Sequence, residues 1–161
     1  MKTLLLLRHG KAQPDAPHGD KERLLIERGK RDSATIGRKI EGLVDHLDSI
    51  VTSDAPRAHE TAIIAAAAAG YGGTITIEPD IYDAGLDTLL NLIRRLPDSS
   101  ECVMLVGHNP VFEELSAALS QEGSPPPHLP TAGLAHIEFD APHWPDVRPG
   151  TGRLLDVLHA R

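Results

Sequence analysis

Four short apolar runs, each followed further along by a segment with helical spacing, constrain this chain more than any other feature. Residues 2–7 (KTLLLL), 49–52 (SIVT), 74–78 (TITIE) and 102–106 (CVMLV) read as strands. From Glu27 to about Leu47 the apolar positions Ala34, Ile36, Ile40, Leu43 and Val44 recur at helical spacing, which predicts an amphipathic helix. The alanine-rich 57–69, the run LDTLLNLIRRL at 86–96 and the stretch from Pro110 to about Leu119 predict three more. Ser53 or Asp54 is expected to cap the second helix and Gly70 to end it, while Pro97 stops the third and Pro110 suits the first turn of the fourth. Two further strands are expected at 134–139 and 153–158; residues 11–23, with Pro14 and Pro17, and the Pro-rich 123–130 read as loops. Strands alternating with helices imply βαβ units, hence an α/β fold with a mostly parallel sheet and helices on both faces.

A chain of 161 residues without an internal repeat or linker fits a single domain, 1–161, that can bury a core without disulfides or a structural metal. Lys plus Arg total 16 and Asp plus Glu 23, a formal charge of −7. Such a chain, with no basic tail, is a poor general binder of nucleic acid or of anionic membrane. A phosphate-bearing partner must be held by a few placed cations. Aromatic residues are only 3%, which argues against a stacking platform for single-stranded nucleic acid and makes the core aliphatic. The lone Cys102 cannot form an intrachain disulfide. Leu4 to Leu7 is too short for a signal h-region, and no apolar window reaches the length of a membrane span, so a cytoplasmic location is expected.

Two segments share one design, an apolar strand followed by a polar turn carrying a histidine: Leu4–Leu7 before Arg8-His9-Gly10, and Val103–Val106 before Gly107-His108-Asn109-Pro110. Ligands of open α/β sheets bind outside the carboxyl ends of the strands. One strand-end histidine is ordinary; two in the same arrangement, one beside an arginine, point to a shared site. A third block, Ser53-Asp54-Ala55-Pro56-Arg57-Ala58, puts Arg57 just after the second strand. Alone, Arg57 reads as a solvent-facing helix residue. With Arg8 and the helix start after His108, it describes a phosphoryl pocket.

Other chemistries lack their residues. There is no Gly-x-x-x-x-Gly-Lys-Ser/Thr loop. His59-Glu60-Thr61-Ala62-Ile63 begins like a zinc-protease helix but has isoleucine at the second histidine position. Cys102 is followed six residues later by His108, not by the arginine of a cysteine-phosphatase loop, and reads as core. His18, His46, His128, His136, His143 and His159 show no metal-ligand spacing and read as surface or capping groups, and the acids along 41–48 and at 113–114 read as solvated helix faces. No metal and no cofactor are expected.

The blocks Leu7-Arg8-His9-Gly10-Lys11-Ala12, Ser53-x-x-x-Arg57-Ala58-x-x-Thr61-Ala62 and Val106-Gly107-His108-Asn109-Pro110 resemble the histidine phosphatase superfamily, the phosphoglycerate mutase-like group, and the short length points to its SixA-type phosphohistidine phosphatase branch. Asp20-x-x-Arg23-x-Leu25-x-x-x-Gly29, Leu96-Pro97 and Pro130-Thr131-Ala132-Gly133-Leu134-Ala135 extend the resemblance over nearly the whole chain. It implies a three-layer αβα sandwich. It also implies a phosphatase in which His9 is the nucleophile, Arg8, Arg57 and His108 hold the phosphoryl oxygens, and Asn109 and Arg23 assist in binding substrate. The substrate would be a phosphohistidine protein or, alternatively, a small phosphorylated metabolite; a non-catalytic phosphate-binding module is the third reading. The oligomeric state is left open, a monomer being compatible.

Two departures stand out. Ile26 occupies a position where relatives commonly place a capping threonine. Relatives that cleave phosphate monoesters usually carry an acid after the third strand, and here Glu78-Pro79-Asp80-Ile81-Tyr82-Asp83-Ala84 offers Asp83 and Glu78 only as weak candidates for the proton donor.

Overall fold

The strict alternation of side chains along a strand divides the leucines of β1 (Lys2–Arg8) between two cores. In the computed structural model, which describes residues 1–121 and 125–161, Leu4 and Leu6 face one layer of helices and Leu5 and Leu7 the other, all four fully buried. The remaining strands are β2 (Ser49–Thr52), β3 (Ile75–Ile77), β4 (Cys102–Gly107), β5 (Leu134–Phe139) and β6 (Gly152–Leu158). They form one six-stranded sheet in the order β3-β2-β4-β1-β5-β6. β1, β2, β3 and β4 pair in parallel, and β5 is antiparallel to both of its neighbours. Only β5 therefore runs against the rest, and the mostly parallel sheet expected from the sequence is the one observed.

The helices are α1 (Glu27–Leu43), α2 (Pro56–Ala68), α3 (Leu86–Arg94) and α4 (Val111–Leu119). Ile36 and Ile40 of α1 and Ala58, Ala62 and Ala65 of α2 cover Leu5, Leu7, Ile50 and Met104. The small alanines let α2 lie close to both the sheet and α1. On the other face, Leu89 and Ile93 of α3 and Phe112, Leu115 and Leu119 of α4 enclose Leu4, Leu6, Val103 and Leu105 together with Trp144. Two helices on each face complete the αβα sandwich. No helix among the described residues is long and apolar enough to cross a membrane.

Several local expectations change. α1 stops at Leu43 rather than near Leu47: Val44 is already extended, and Leu47, buried, packs from the connection that leads into β2. Neither Ser53 nor Asp54 caps α2. The cap residue is Ala55 with Pro56 in the first turn, because the Ser53 hydroxyl accepts the Ala55 N–H one turn earlier and Asp54 pairs with Lys21 at 2.8 Å. Gly70 does follow the end of α2, at φ +76°. Pro110 is the residue before α4, and Ile26 starts α1 without a side-chain cap, as its identity dictates.

Two groups read as solvated turn out to be structural. Glu113 accepts the Leu129 N–H at 2.7 Å and so fixes the end of the Pro-rich segment, of which Gly123 and Ser124 lie outside the described residues. Asp48 accepts the N–H groups of Glu101 and Cys102, both at 2.9 Å, ahead of β4. His136 is also buried, within β5, 3.2 Å from Asp156.

Candidate active site

Parallel neighbours in a sheet deliver their carboxyl ends to the same edge, and the register here makes the delivery specific. Arg8 lies opposite Gly107, so the residues that follow, His9 and His108, emerge side by side with ring centroids 5.3 Å apart. β2 pairs with β4 up to Thr52 and Val106, and the Ser53 N–H then donates to Val106 O at 3.0 Å. Ser53, His9 and His108 thus meet at one place although 44 and 55 residues separate Ser53 from them in sequence.

His9 is held at both ring nitrogens. Its Nδ1 lies 2.8 Å from Gly10 O; a carbonyl only accepts, so Nδ1 carries the proton and Nε2 keeps its lone pair. Arg57 Nε–H points at that lone pair across 3.4 Å. Burial is the main reason that the His9 pKa falls to about 3, with the neighbouring His108, Arg57 and Arg8 adding to the effect against the Gly10 hydrogen bond. At neutral pH the imidazole is uncharged and nucleophilic.

The loop around His9 is braced by residues from the other motif blocks. Gly10 N–H donates to Thr61 Oγ1 at 3.0 Å, and that hydroxyl donates to Arg57 O at 2.7 Å. Ala132, in the left-handed region at φ +60°, donates its N–H to both Arg8 O and His9 O. Gly10 and Gly29 touch backbone to backbone: a Cβ on Gly10 would lie 2.6 Å from Gly29 O, and one on Gly29 would lie 2.1 Å from Lys11 O. The absence of a side chain at Gly29 is therefore what lets α1 lie directly against the nucleophile loop.

His108 contacts Ser53 through Nε2 at 2.9 Å. Ser53 Oγ already accepts the Ala55 N–H and has no other acceptor among the described residues, so its hydroxyl hydrogen goes to Nε2 and the His108 proton stays on Nδ1. That nitrogen is buried and unpartnered, as is Arg8 Nε. Burial, then Arg57, lowers the His108 pKa to about 4. Arg8 Nη1 and Asn109 Nδ2 both donate to Leu129 O, at 3.0 and 2.9 Å.

These groups line a cleft of about 290 Å³ formed by Arg8, His9, Asp20, Arg23, Arg57, Tyr82, Asp83, His108 and Asn109. All six residues singled out in the sequence are in it. Arg57 is buried to 4% exposure and is no solvent-facing helix residue. Of the two acid candidates, Asp83 sits exposed at the rim, and Glu78 lies outside the cleft, capping the turn after β3. A wider cleft of about 530 Å³, beside Met1, Cys102 and His136, holds none of these groups. Among the described residues no cluster of three or more His, Cys, Asp or Glu is placed to hold a metal ion.

Two residues were missed. In the sequence Asp20 stands out only through its spacing from Arg23, and Tyr82 lies unremarked among the acids of residues 78–84. Asp20 accepts from Arg23 Nη1 at 2.9 Å, Arg57 Nη2 at 3.1 Å and Tyr82 Oη at 2.6 Å, and its carbonyl accepts from Arg57 Nη1 at 2.8 Å. Tyr82 stands edge-on to His108, with ring centroids 5.4 Å apart. Its hydrogen bond to Asp20, before burial, raises the phenol pKa, while the same bond and the arginines hold the Asp20 carboxyl well below the usual range.

Residues 4–89 match the family described as the histidine phosphatase superfamily, branch 1. An uncharacterized protein, Rv1276c of Mycobacterium tuberculosis strain H37Rv, is 28% identical over 92% of this chain and 96% of its own. A structure from Agrobacterium tumefaciens, assigned as a phosphohistidine phosphatase SixA, is 31% identical with a TM-score of 0.79, covering 98% of this chain and 97% of that one. The structure of the protein histidine phosphatase SixA complexed with tungstate has the same fold, with a TM-score of 0.85 at 20% identity over 98% and 97% of the two chains. With its strand-end histidines and arginines in the family's order, this chain belongs to the histidine phosphatase superfamily, in the SixA-type group, and is a phosphatase.

Proposed function

We propose that the chain acts as one catalytic domain that removes the phosphoryl group from phosphohistidine in proteins through a covalent intermediate on His9. The observation that carries this reading is the combination of a neutral, oriented His9 with a cleft whose lining contains no buried carboxyl group. Expelling an alkoxide from a serine or sugar phosphate needs a proton delivered in the transition state, a task that suits a carboxylic acid of raised pKa. The P–N bond of phosphohistidine needs less, because an imidazole protonated on its other nitrogen departs as a neutral molecule.

In the first step His9 Nε2 forms a bond to phosphorus as the P–N bond of the substrate breaks. Arg57, Arg8 Nε and His108 Nδ1 donate to the phosphoryl oxygens, the last two gaining the partners they lack in the free protein. Asn109 and Arg23 line the cleft where the substrate enters. Phospho-His9 retains its Nδ1–H on Gly10 O and is an imidazolium, so in the second step water adds to phosphorus, the P–Nε2 bond breaks and His9 returns neutral. The released proton goes to phosphate or solvent. A metal or cofactor has no part in this sequence. The buried, free Cys102 suits a cytoplasmic, reducing setting.

The test is a comparison of kcat/KM for matched phosphohistidine and phosphoserine peptides. The phosphohistidine peptide should be favoured by ~10²-fold or more, the lower end of what general acid catalysis supplies. The exposed Asp83 at the rim favours the second reading, a monoesterase for small metabolites. Comparable values for the two peptides, with Asp83→Asn selectively slowing the phosphoserine reaction, would put that reading in its place.

A further inference from the structure

Resting on the phosphohistidine reading, we propose that the Asp20 carboxylate receives the leaving group: it accepts the free ring N–H of the substrate's phosphorylated imidazole and so keeps that ring an imidazolium. Asp20 projects over the cleft from the turn at Asp20–Glu22. Its side chain is 57% exposed, so one side is bound by protein and the other open to a ligand. A carboxylate has about four lone-pair sites. Arg57 and Tyr82 occupy both on Oδ2, and Arg23 takes one on Oδ1, which leaves one acceptor position.

Arg57 sets the direction of transfer. One flat guanidinium reaches His9 with Nε and Asp20 with both Nη1 and Nη2, so nucleophile and carboxylate stand on different edges of the same group. A phosphoryl group lying against Arg57 and attacked in line from His9 has its leaving group on the Asp20 side. Paired with two arginines and a tyrosine, Asp20 stays ionised and serves as acceptor, not as acid.

The chemistry balances without any added proton. The substrate ring enters phosphorylated on one nitrogen and protonated on the other; the new bond forms from His9 Nε2 to phosphorus, the old P–N bond gives its electron pair to the ring, and neutral imidazole leaves with its N–H still on Asp20. Gly10 O performs the same service for phospho-His9 in the second step. Asp20 thereby makes up for the carboxylic acid missing after β3 and selects cationic leaving groups over alkoxides.

The experiment compares Asp20→Asn with wild type on two substrates, a phosphohistidine peptide and p-nitrophenyl phosphate, whose leaving group departs without a proton. A neighbouring carboxylate raises an imidazolium pKa by roughly one unit or more, tenfold in the protonated form per unit. The ratio of kcat/KM values, phosphohistidine over aryl phosphate, should fall about tenfold or more in Asp20→Asn and recover in Asp20→Glu. Both substrates are read on one preparation, so any loss of folded enzyme cancels. An unchanged ratio overturns the proposal: a common fall would make Asp20 only a support for Arg57, and a common rise only an obstruction of the anion site. If wild type itself shows no preference for phosphohistidine over phosphoserine, the functional reading fails independently of this ratio.

Discussion

Arg57 Nε lies 3.4 Å from His9 Nε2, so a buried guanidinium in the cleft is aimed at the one lone pair able to attack phosphorus. The contact is long for a hydrogen bond and has no net charge to hold on the neutral ring, which leaves Arg57 ready to exchange it for a phosphoryl oxygen. Arg57→Ala should lower kcat/KM by ~10²–10³, about 3–4 kcal/mol, the usual cost of removing one pre-set donor. Arg57→Lys should recover little of it, because an ammonium cannot address His9 and Asp20 at once. Steady-state kinetics on an aryl phosphate measure both; full rescue by lysine would reduce Arg57 to a source of charge.

Acid should destabilise the protein through its two site histidines. An unfolded histidine takes up a proton near pH 6.5, whereas burial keeps His9 neutral down to about pH 3 and His108 to about pH 4. Between these limits the unfolded chain binds more protons than the folded one, so stability is fully kept above about pH 7 and declines as pH falls through 6 toward 4. Urea unfolding at pH 7.5 and 5 should show a smaller loss for a His9→Gln, His108→Gln double variant than for wild type. Equal losses would show that these rings are not held neutral by the fold.

Gly29→Ala should disturb the site from behind. The added methyl would meet the Lys11 backbone at 2.1 Å, and backbone cannot move aside as a flexible side chain can. Overpacking of this kind costs about 1–3 kcal/mol, and the strain falls on the turn that carries His9. The urea midpoint should drop and kcat should fall further than the small loss of folded protein explains; unchanged kcat would mean that α1 and the nucleophile loop are independent.

Much of this was readable in the residues. The six strands appear within a residue or so of their expected limits, since KTLLLL, SIVT and CVMLV each hold a short apolar stretch that ends at a polar turn. The strand-end rule brought His9, His108, Arg8 and Arg57 together correctly because parallel register leaves few alternatives. Asp20 and Tyr82 escaped because the contacts that bring them to the site, Asp20 with Arg57 and with Tyr82, span 37 and 62 residues, across loops whose course no periodicity encodes. Lys2 escaped for a similar reason: a lysine at a strand start reads as exposed, yet it is fully buried with Nζ donating to Asp98 O at 2.6 Å and lying over Trp144. The capping expectation for Ser53 failed because its hydroxyl accepts the Ala55 N–H and meets His108, a contact that arrives only through tertiary structure.

Activity should survive dialysis against EDTA, since the cleft contributes arginine and histidine donors for phosphate and, among the described residues, no cluster of ligands for a metal. Vanadate should inhibit by taking up the five-coordinate geometry of the transferring phosphorus. Loss of activity on chelation with recovery on adding zinc or manganese would require a metal in the mechanism.

The central claim is that the phosphoryl group passes through His9, and rapid quenching of the enzyme with a radiolabelled phosphohistidine substrate tests it most directly. The account predicts label that is stable to base and labile to acid, located at His9 by peptide mass spectrometry. It also predicts that His9→Ala is unlabelled and keeps its fold while losing more than about nine-tenths of the activity, at least ~1.4 kcal/mol of barrier. Label on another residue, or a His9→Ala variant retaining more than about a tenth of wild-type turnover, would contradict it.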